Sequence, residues 1–308
     1  MLGTYHALYA QGLSMFDSEI KFWVATISLA HGLTLALTSA GFLSLDRFPS
    51  MDKYRLQDKR APDHLFNQAF RGLFFNSIVT YPVFALVLHP IASSRVSVSG
   101  PLPDGLTTLK HLALCILVED CLFYWIHRSL HHKAVYKYVH KTHHEFKQNV
   151  APAAEHFHPA EDVMNVIPFI TGPLVFRLHL STLLLWVVVR VHEIVDAHSG
   201  YGIPWSPWSY TRPSERHEFH HSHNIGCYGS FFPFWDKMMG TDARFREFIQ
   251  AGAWRAKAAD DAAPAPARKA KAAGTPSKDG TFPSAKTPPR RTQPPRAAKS
   301  AAKSAAAL

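Results

Sequence analysis

Residues 121–146 read CLFYWIHRSLHHKAVYKYVHKTHHEF, an apolar run that passes directly into histidines at helical offsets. His127 and His131 stand four apart, His140, His143 and His144 stand at i, i+3, i+4, and His217, His220 and His221 in HEFHH repeat that spacing downstream. On a helix such offsets place the side chains on one face. Fifteen of the 20 histidines lie between His127 and His223. Neutral imidazole ligates iron and zinc, and eight such groups exceed the needs of one ion but suit two. The spacing therefore predicts a helical, all-α chain with a histidine-only dinuclear metal centre.

Plainer readings compete with this one. Solvated histidine-rich storage or transport tracts run as simple repeats without helical register. A carboxylate-bridged di-iron bundle wants Glu and Glu-x-x-His pairs on its helices, whereas Glu145 and Glu218 neighbour the triplets without belonging to them. His31, His64, His89, His111 and His179 stand alone on apolar faces and read as hydrogen-bonded core residues. His132, His156 and His223 are adjacent extras that a helix rotates off the ligand face. Asp120, seven residues before His127, reads either as an acceptor for a ligating imidazole N–H or as a plain exposed turn of charge with Glu119.

Outward from the boxes, residues 22–45 and 73–92 are apolar for the roughly 20 residues that cross a hydrocarbon core as a helix. Residues 107–126 are a third such stretch, with a buried soluble helix as the alternative. Residues 163–195 are broken at Gly172 and Pro173. Boxes on both sides of this stretch must meet at one metal pair, so it is expected to enter and return on the same side, as a hairpin bent near those two residues. Within it, Arg190 and Glu193 at i, i+3 are expected to pair, since lone charges at membrane depth are costly. The segment 46–71 carries Arg47, Lys53, Arg55, Lys59, Arg60 and Arg71, against Arg95 alone in 93–106. The positive-inside tendency puts the former, and with it the metal centre, on the cytosolic side. The aromatic stretch 205–208 reads as a cap over a lipid pocket entered laterally, or as an interfacial anchor.

The expected organisation is 1–106 as a membrane region with two spans, 107–250 as the metal-binding domain with its hairpin, and 251–308 as a basic Ala/Pro/Lys tail. Between Arg255 and Lys303 there are 12 Lys or Arg against three Asp, so nine of the ten net positive charges belong to that tail. Its composition predicts disorder, and its charge predicts at most weak attraction to anionic lipid. The charge is thus no nucleic-acid signal for the rest of the chain. Cys115, Cys121 and Cys227 form no CxxC pair and read as free thiols. The N-terminus has no basic n-region, so its first apolar segment reads as a retained anchor.

The blocks YWIHRSLHH, YKYVHKTHHEF, AEHFHPAE, VDAHSGYGIPW and HEFHHSHNIGCYGSFFPFWDKMMGTD resemble, in order and spacing, the fatty-acid hydroxylase and sterol desaturase superfamily, and within it the C-4 methylsterol oxidases. The resemblance runs from about Arg47 to Thr241. It implies a monooxygenase with two Fe per chain that uses O2 and takes electrons from NAD(P)H through cytochrome b5 or a reductase. Its membrane would be that of the endoplasmic reticulum, its substrate a sterol or other lipid, and its neighbours other sterol-biosynthesis enzymes. His127, His131, His140, His143, His144, His198, His217, His220 and His221 are the implied metal ligands, with His158 a ligand or an outer partner. Arg216, where many sterol oxidases continue the histidine run, and Phe123, ahead of the first box, depart from the pattern and bear on the substrate. The alternatives are a sterol desaturase or lipid hydroxylase on the same scaffold and, outside enzymes, a histidine-rich metal-binding membrane protein.

Overall fold

The computed structural model describes residues 2–252, within one compact unit, Met1–Ala259. The expectations for the basic tail fall almost entirely outside the described residues. Helix α1, Leu2–Ser14, leads into α2, Glu19–Leu45, whose first turn carries Glu19 where the helix dipole favours an anion. Helices α3, Asp63–Phe75, and α4, Tyr81–Ala92, are joined without a break by a single π turn, Asn76–Thr80. That turn exists because Asn76 faces inward and its Nδ2 donates to the Glu155 carbonyl at 3.2 Å, while Thr80 Oγ1 reaches Asn76 Oδ1 at 3.0 Å. Both Glu19–Leu45 and Asp63–Ala92 are long and apolar enough to cross a membrane. The second begins ten residues before the apolar run suggests, because Asp63 and the residues after it continue the same helix.

Helix α5, Gly105–Leu130, starts at Asp104, whose carboxylate accepts the Thr107 N–H at 2.8 Å. Its buried face carries Cys115, Glu119, Asp120, Tyr124 and His127. That polar content suits a helix packed within the protein better than one exposed to lipid. After the short α6, Lys133–Tyr136, the chain runs through turns to α7, Pro159–Val175, and α8, Leu180–Ala197.

Helices α7 and α8 form the expected hairpin, but its bend lies at 176–179 rather than at Gly172 and Pro173, which both sit inside α7. Pro173 has no N–H for the carbonyl of Phe169, and the Trp186 indole of α8 donates to that carbonyl instead, at 2.9 Å. Gly172 is where α7 crosses α5: an added Cβ would meet Cys115 Cα and Sγ at 3.0 Å. The break signals in the sequence are therefore contact signals. At the bend, Arg177 takes a left-handed conformation (φ 51°) and His179 Nδ1 accepts the Ser181 N–H at 3.1 Å.

Helix α9, Pro213–His223, and the shorter α10, Phe234–Met239, and α11, Ala243–Gln250, complete the described chain. No β-strand occurs among the described residues, only isolated bridges between Arg55 and Tyr201 and between Ser97 and His179. The core gathers Trp23, Ala85, Cys115, Leu183 and Trp186 between α2, α4, α5 and α8. Leu29, Leu33, Leu37, Phe74, Ile78 and Val87 remain on the outer faces of α2, α3, the π turn and α4, an apolar surface of the kind lipid covers.

Candidate metal centre

Four segments deliver nine buried or nearly buried imidazoles to one place. Helix α5 ends with His127 in its last turn and His131 at its C-cap. Helix α8 ends with His198 at its C-cap. Helix α9 carries His217, His220 and His221, the last two fully inaccessible. HKTHH does not form the α-helix its spacing predicts: His140 lies in a turn and His143–Glu145 is a 3-10 turn. The 140–144 register survives because the His144 N–H still reaches the His140 carbonyl at 3.3 Å.

The imidazoles divide into two sets. His127, His131, His140, His144 and His220 form one, and His143, His198, His217 and His221 form the other, with the ligand atoms of each set within 4.8 Å of one another. Each triplet is split between them. The i, i+4 pair of HKTHH goes to the first set and its middle residue to the second, while HEFHH does the reverse. His144 and His221 stack across the boundary, centroids 4.5 Å apart.

The outer nitrogens fix the tautomers. Nδ1 of His127, His143, His198, His220 and His221 faces the carbonyls of Tyr228 (3.0 Å), His156 (3.3 Å), Ile194 (2.7 Å), Gly226 (2.6 Å) and Phe146 (2.9 Å). His140 Nδ1 lies 2.7 Å from Glu161 Oε1. A ring that donates from Nδ1 presents a bare lone pair at Nε2, and the Nε2 atoms point at one another. His140 lies 3.0 Å from His131 and His217 lies 2.9 Å from His198. Nitrogens bound about 2.1 Å from one ion stand about 3.0 Å apart at right angles and about 3.4 Å apart at tetrahedral angles. The donor set therefore fits a cation in each cluster, and His127 Nε2, buried without a partner among the described residues, points into its set.

Burial pushes the rings toward the neutral form that binds metal. Desolvation, reinforced by His127 and the Lys147 ammonium, holds His131 down to about 2, and desolvation holds His127 at about 4 and His198 at about 3. His143, His144, His217, His220 and His221 are lowered further for the same reason. Because the unfolded chain takes up these protons below about 6.5 and the folded one does not, stability must fall as pH drops. The chelator-stripped protein is expected to lose stability, and with it melting temperature, as pH falls from about 6.5 through about 4, because protons bind the unfolded chain and not the buried rings. A melting curve flat over that interval would contradict the buried neutral state.

The remaining candidates lie elsewhere. Asp120 Oδ1 accepts the Phe232 N–H at 2.9 Å, not an imidazole N–H, and it is buried, which corrects both of its readings. His158 is the N-cap of α7, its Nδ1 accepting the Ala160 N–H at 3.2 Å, and belongs to neither set. His132 caps α6, His223 stacks on Phe219, and His156 is buried against Glu145 rather than on a polar surface. His64 is exposed, not a core residue. The carboxylate partner that the sequence hid is Glu161, whose place in the first turn of α7 reads as an ordinary partner of the helix dipole.

The segment 224–230 shapes the outer contacts. Asn224, Gly226 and Cys227 all have positive φ (58°, 62° and 53°), which turns the Gly226 and Tyr228 carbonyls toward His220 and His127. A Cβ at Gly226 would stand 2.1 Å from the Thr241 carbonyl oxygen, so only glycine fits there. Asp236 accepts the N–H groups of Tyr228 and Gly229, each at 2.8 Å. Arg216 donates to the carbonyls of Ser230 (2.8 Å) and Thr211 (3.1 Å). The departure at Arg216 is thus a clamp on the backbone, turned away from the imidazoles. Glu119 and Glu193 hold Arg190 at 2.7 and 2.6 Å, the second being the expected pair.

Among the described residues the fold is all-helical, and helices α5, α8 and α9 with the 140–144 turn define a class of site in which two buried, all-imidazole clusters could each hold a metal ion. The family model described as fatty acid hydroxylase matches residues 112–241. The chain belongs to the fatty acid hydroxylase family, whose members are iron-dependent oxidative enzymes. It is 32% identical over 245 residues to methylsterol monooxygenase 1 of Rattus norvegicus, covering 77% of this chain and 83% of that one. To the Gallus gallus methylsterol monooxygenase 1 it is 34% identical, covering 75% and 81%. It is also 33% identical to a very-long-chain aldehyde decarbonylase of Oryza sativa subsp. japonica, covering 77% and 91%. No solved structure matches significantly.

Proposed function

We propose that this chain is a membrane-bound, di-iron monooxygenase that oxidises the C-4 methyl group of sterol intermediates, with His127, His131, His140, His144 and His220 holding one iron and His143, His198, His217 and His221 the other. The observation that carries the reading is the convergence of these nine imidazoles, and of no carboxylate, into two buried sets. Iron held there would supply O2 reduction and the oxidising power to attack an unactivated C–H bond. The chain's own residues bind and orient: the carbonyls and Glu161 lock the rings, and Phe123 and Phe157 flank a cavity of about 20 Å³ against His127, His143 and His217.

The proposed topology places the catalytic face in the cytosol, in the endoplasmic reticulum membrane. Supporting it, the Leu56 N–H bonds the Gly200 carbonyl at 2.9 Å, which joins the basic segment 46–71 to the end of the helices that bears His198. A cleft of about 560 Å³ there is lined by Arg47, Arg55, Lys59 and Arg60 and also by Asp46, which pairs with Arg55 and Arg60, by Asp63 and by Glu218, leaving a small excess of positive charge. Its charge suits an acidic electron donor such as cytochrome b5 or a reductase drawing on NAD(P)H. Buried Glu218, pushed up to about 7 by desolvation, accepts from Asn149 N–H and Gln57 behind the second set. The domain boundaries proposed are 1–106, 107–250 and 251–308.

The rice relative favours a second reading, a long-chain aldehyde as substrate. Lipid profiles decide between them. Cells lacking the protein are expected to accumulate 4-methyl or 4,4-dimethyl sterols, and the chain truncated after Gln250 is expected to restore the profile. Normal sterols with altered long-chain lipids would replace the sterol reading with the second one.

A further inference from the structure

Between α2, α4, α7 and α8 lies an apolar cavity walled by Trp23, Ile27, Phe84, Leu88, Leu183 and Val187. It abuts the space at the imidazoles, since Phe157, Asn165, Arg190 and Ile194 line both. Its volume of about 120 Å³ falls below the roughly 300–1,000 Å³ of ligand pockets, so a lipid enters by spreading these helices. One part of the wall is polar. His31 Nε2 lies 2.8 Å from Glu155 Oε1, the His31 ring stacks on Tyr81 at 3.7 Å, and Asp162 stands with them on the cavity.

Two atoms of this group have no hydrogen-bond partner among the described residues, His31 Nδ1 and Asp162 Oδ1, while the Glu155 carboxylate takes the His31 N–H and the Tyr81 hydroxyl. His31 and Asp162 are at least nine-tenths buried, with exposures of 7% and 9%. Buried polar atoms are costly without partners. With Nε2–H given to Glu155, a neutral His31 offers a lone pair at Nδ1. His31 Nδ1 is then an acceptor, as is Asp162 Oδ1 when ionised. Arg190, the nearby cation, is already held by Glu119 and Glu193 and offers no compensating charge for an anion.

We infer that His31, Glu155 and Asp162 form a recognition site for the hydroxyl group of a lipid alcohol whose apolar body fills the cavity. A hydroxyl is a neutral lipid group that donates to a carboxylate and, unlike an amide N–H, sits at the end of a sterol's otherwise apolar body. An aldehyde, a ketone or an ester only accepts, and a fatty-acid carboxylate adds negative charge to negative charge. The inference rests on the sterol reading in that a sterol alcohol presents its hydroxyl on the carbon next to C-4, and it separates such substrates from aldehydes of the kind named for the rice relative.

The test measures binding rather than turnover. The iron-loaded full-length protein in lipid nanodiscs is offered a radiolabelled 4,4-dimethylsterol in competition with the unlabelled sterol or its 3-O-methyl ether, which keeps the acceptor and loses the donor. The wild type is expected to prefer the free alcohol roughly ten- to a hundredfold, the range of a hydrogen bond to a charged group. Glu155→Leu and Asp162→Leu are expected to bind both sterols alike at unchanged iron content. Asp162→Leu keeps the His31–Glu155 pair, so it remains informative if Glu155→Leu fails to fold. Equal wild-type affinity for alcohol and ether overturns the inference even if the sterol is turned over. Discrimination that persists in Asp162→Leu overturns the residue assignment. Should sterols not bind while a long-chain primary alcohol is preferred over its methyl ether, and that preference is lost in the variants, the hydroxyl site stands and the sterol reading falls.

Discussion

His143→Ala and His220→Ala are each expected to abolish turnover while the protein still inserts into membranes, because neither residue lies in a candidate membrane-crossing helix and each belongs to a different imidazole set. Loss of an outer hydrogen bond to a metal ligand costs roughly 10- to 100-fold, and loss of the ligand itself should exceed that. Iron analysis is expected to give about two ions per wild-type chain and fewer in both variants, whatever zinc overexpressed material carries. His158→Ala, which touches neither set, should retain its iron. Full activity in either ligand variant would sink the assignment, and so would one ion or none in active wild-type protein.

Arg190→Ala should destabilise the protein by about 3–5 kcal/mol, the cost of leaving buried carboxylates without their cation. Glu119 and Glu193 are each 1% exposed and both depend on that guanidinium. Ser230 Oγ, 3.2 Å from Glu193 Oε2, ties the same group to the loop behind the imidazoles. The triple variant Arg190→Met, Glu119→Gln, Glu193→Gln is expected to recover most of the loss, because it removes the charges together. Thermal melting in detergent measures both. A change below about 1 kcal/mol on Arg190→Ala would place these residues outside the core.

Eight of the ligand candidates were legible because metal chemistry demands a residue type and helical geometry demands a spacing, while His198 rested on the family resemblance of its block alone. HEFHH lies on a helix as its period implies, and all nine candidates converge. HKTHH carries the same spacing on a turn, since i, i+3, i+4 brings side chains together wherever one helical turn forms, even without a helix around it. What stayed hidden depended on contacts distant in sequence. Glu161 became a histidine partner only when α7 packed beside the turn holding His140, and Gly172 and Pro173 signalled a break that Cys115 and Trp186 absorb. Asp120 was read from its helix face, and the loop carrying Phe232 took it up instead.

The crosswise division of the two triplets governs how the centre assembles. An ion held by His140, His144 and His220 fixes the backbone that carries His143, His217 and His221, and the converse holds equally. Whichever set fills first therefore does the ordering for both, and the second ion meets a chain that has already surrendered its freedom. Were both positions filled, their occupancies would be coupled through that shared backbone, although no single side chain belongs to both sets.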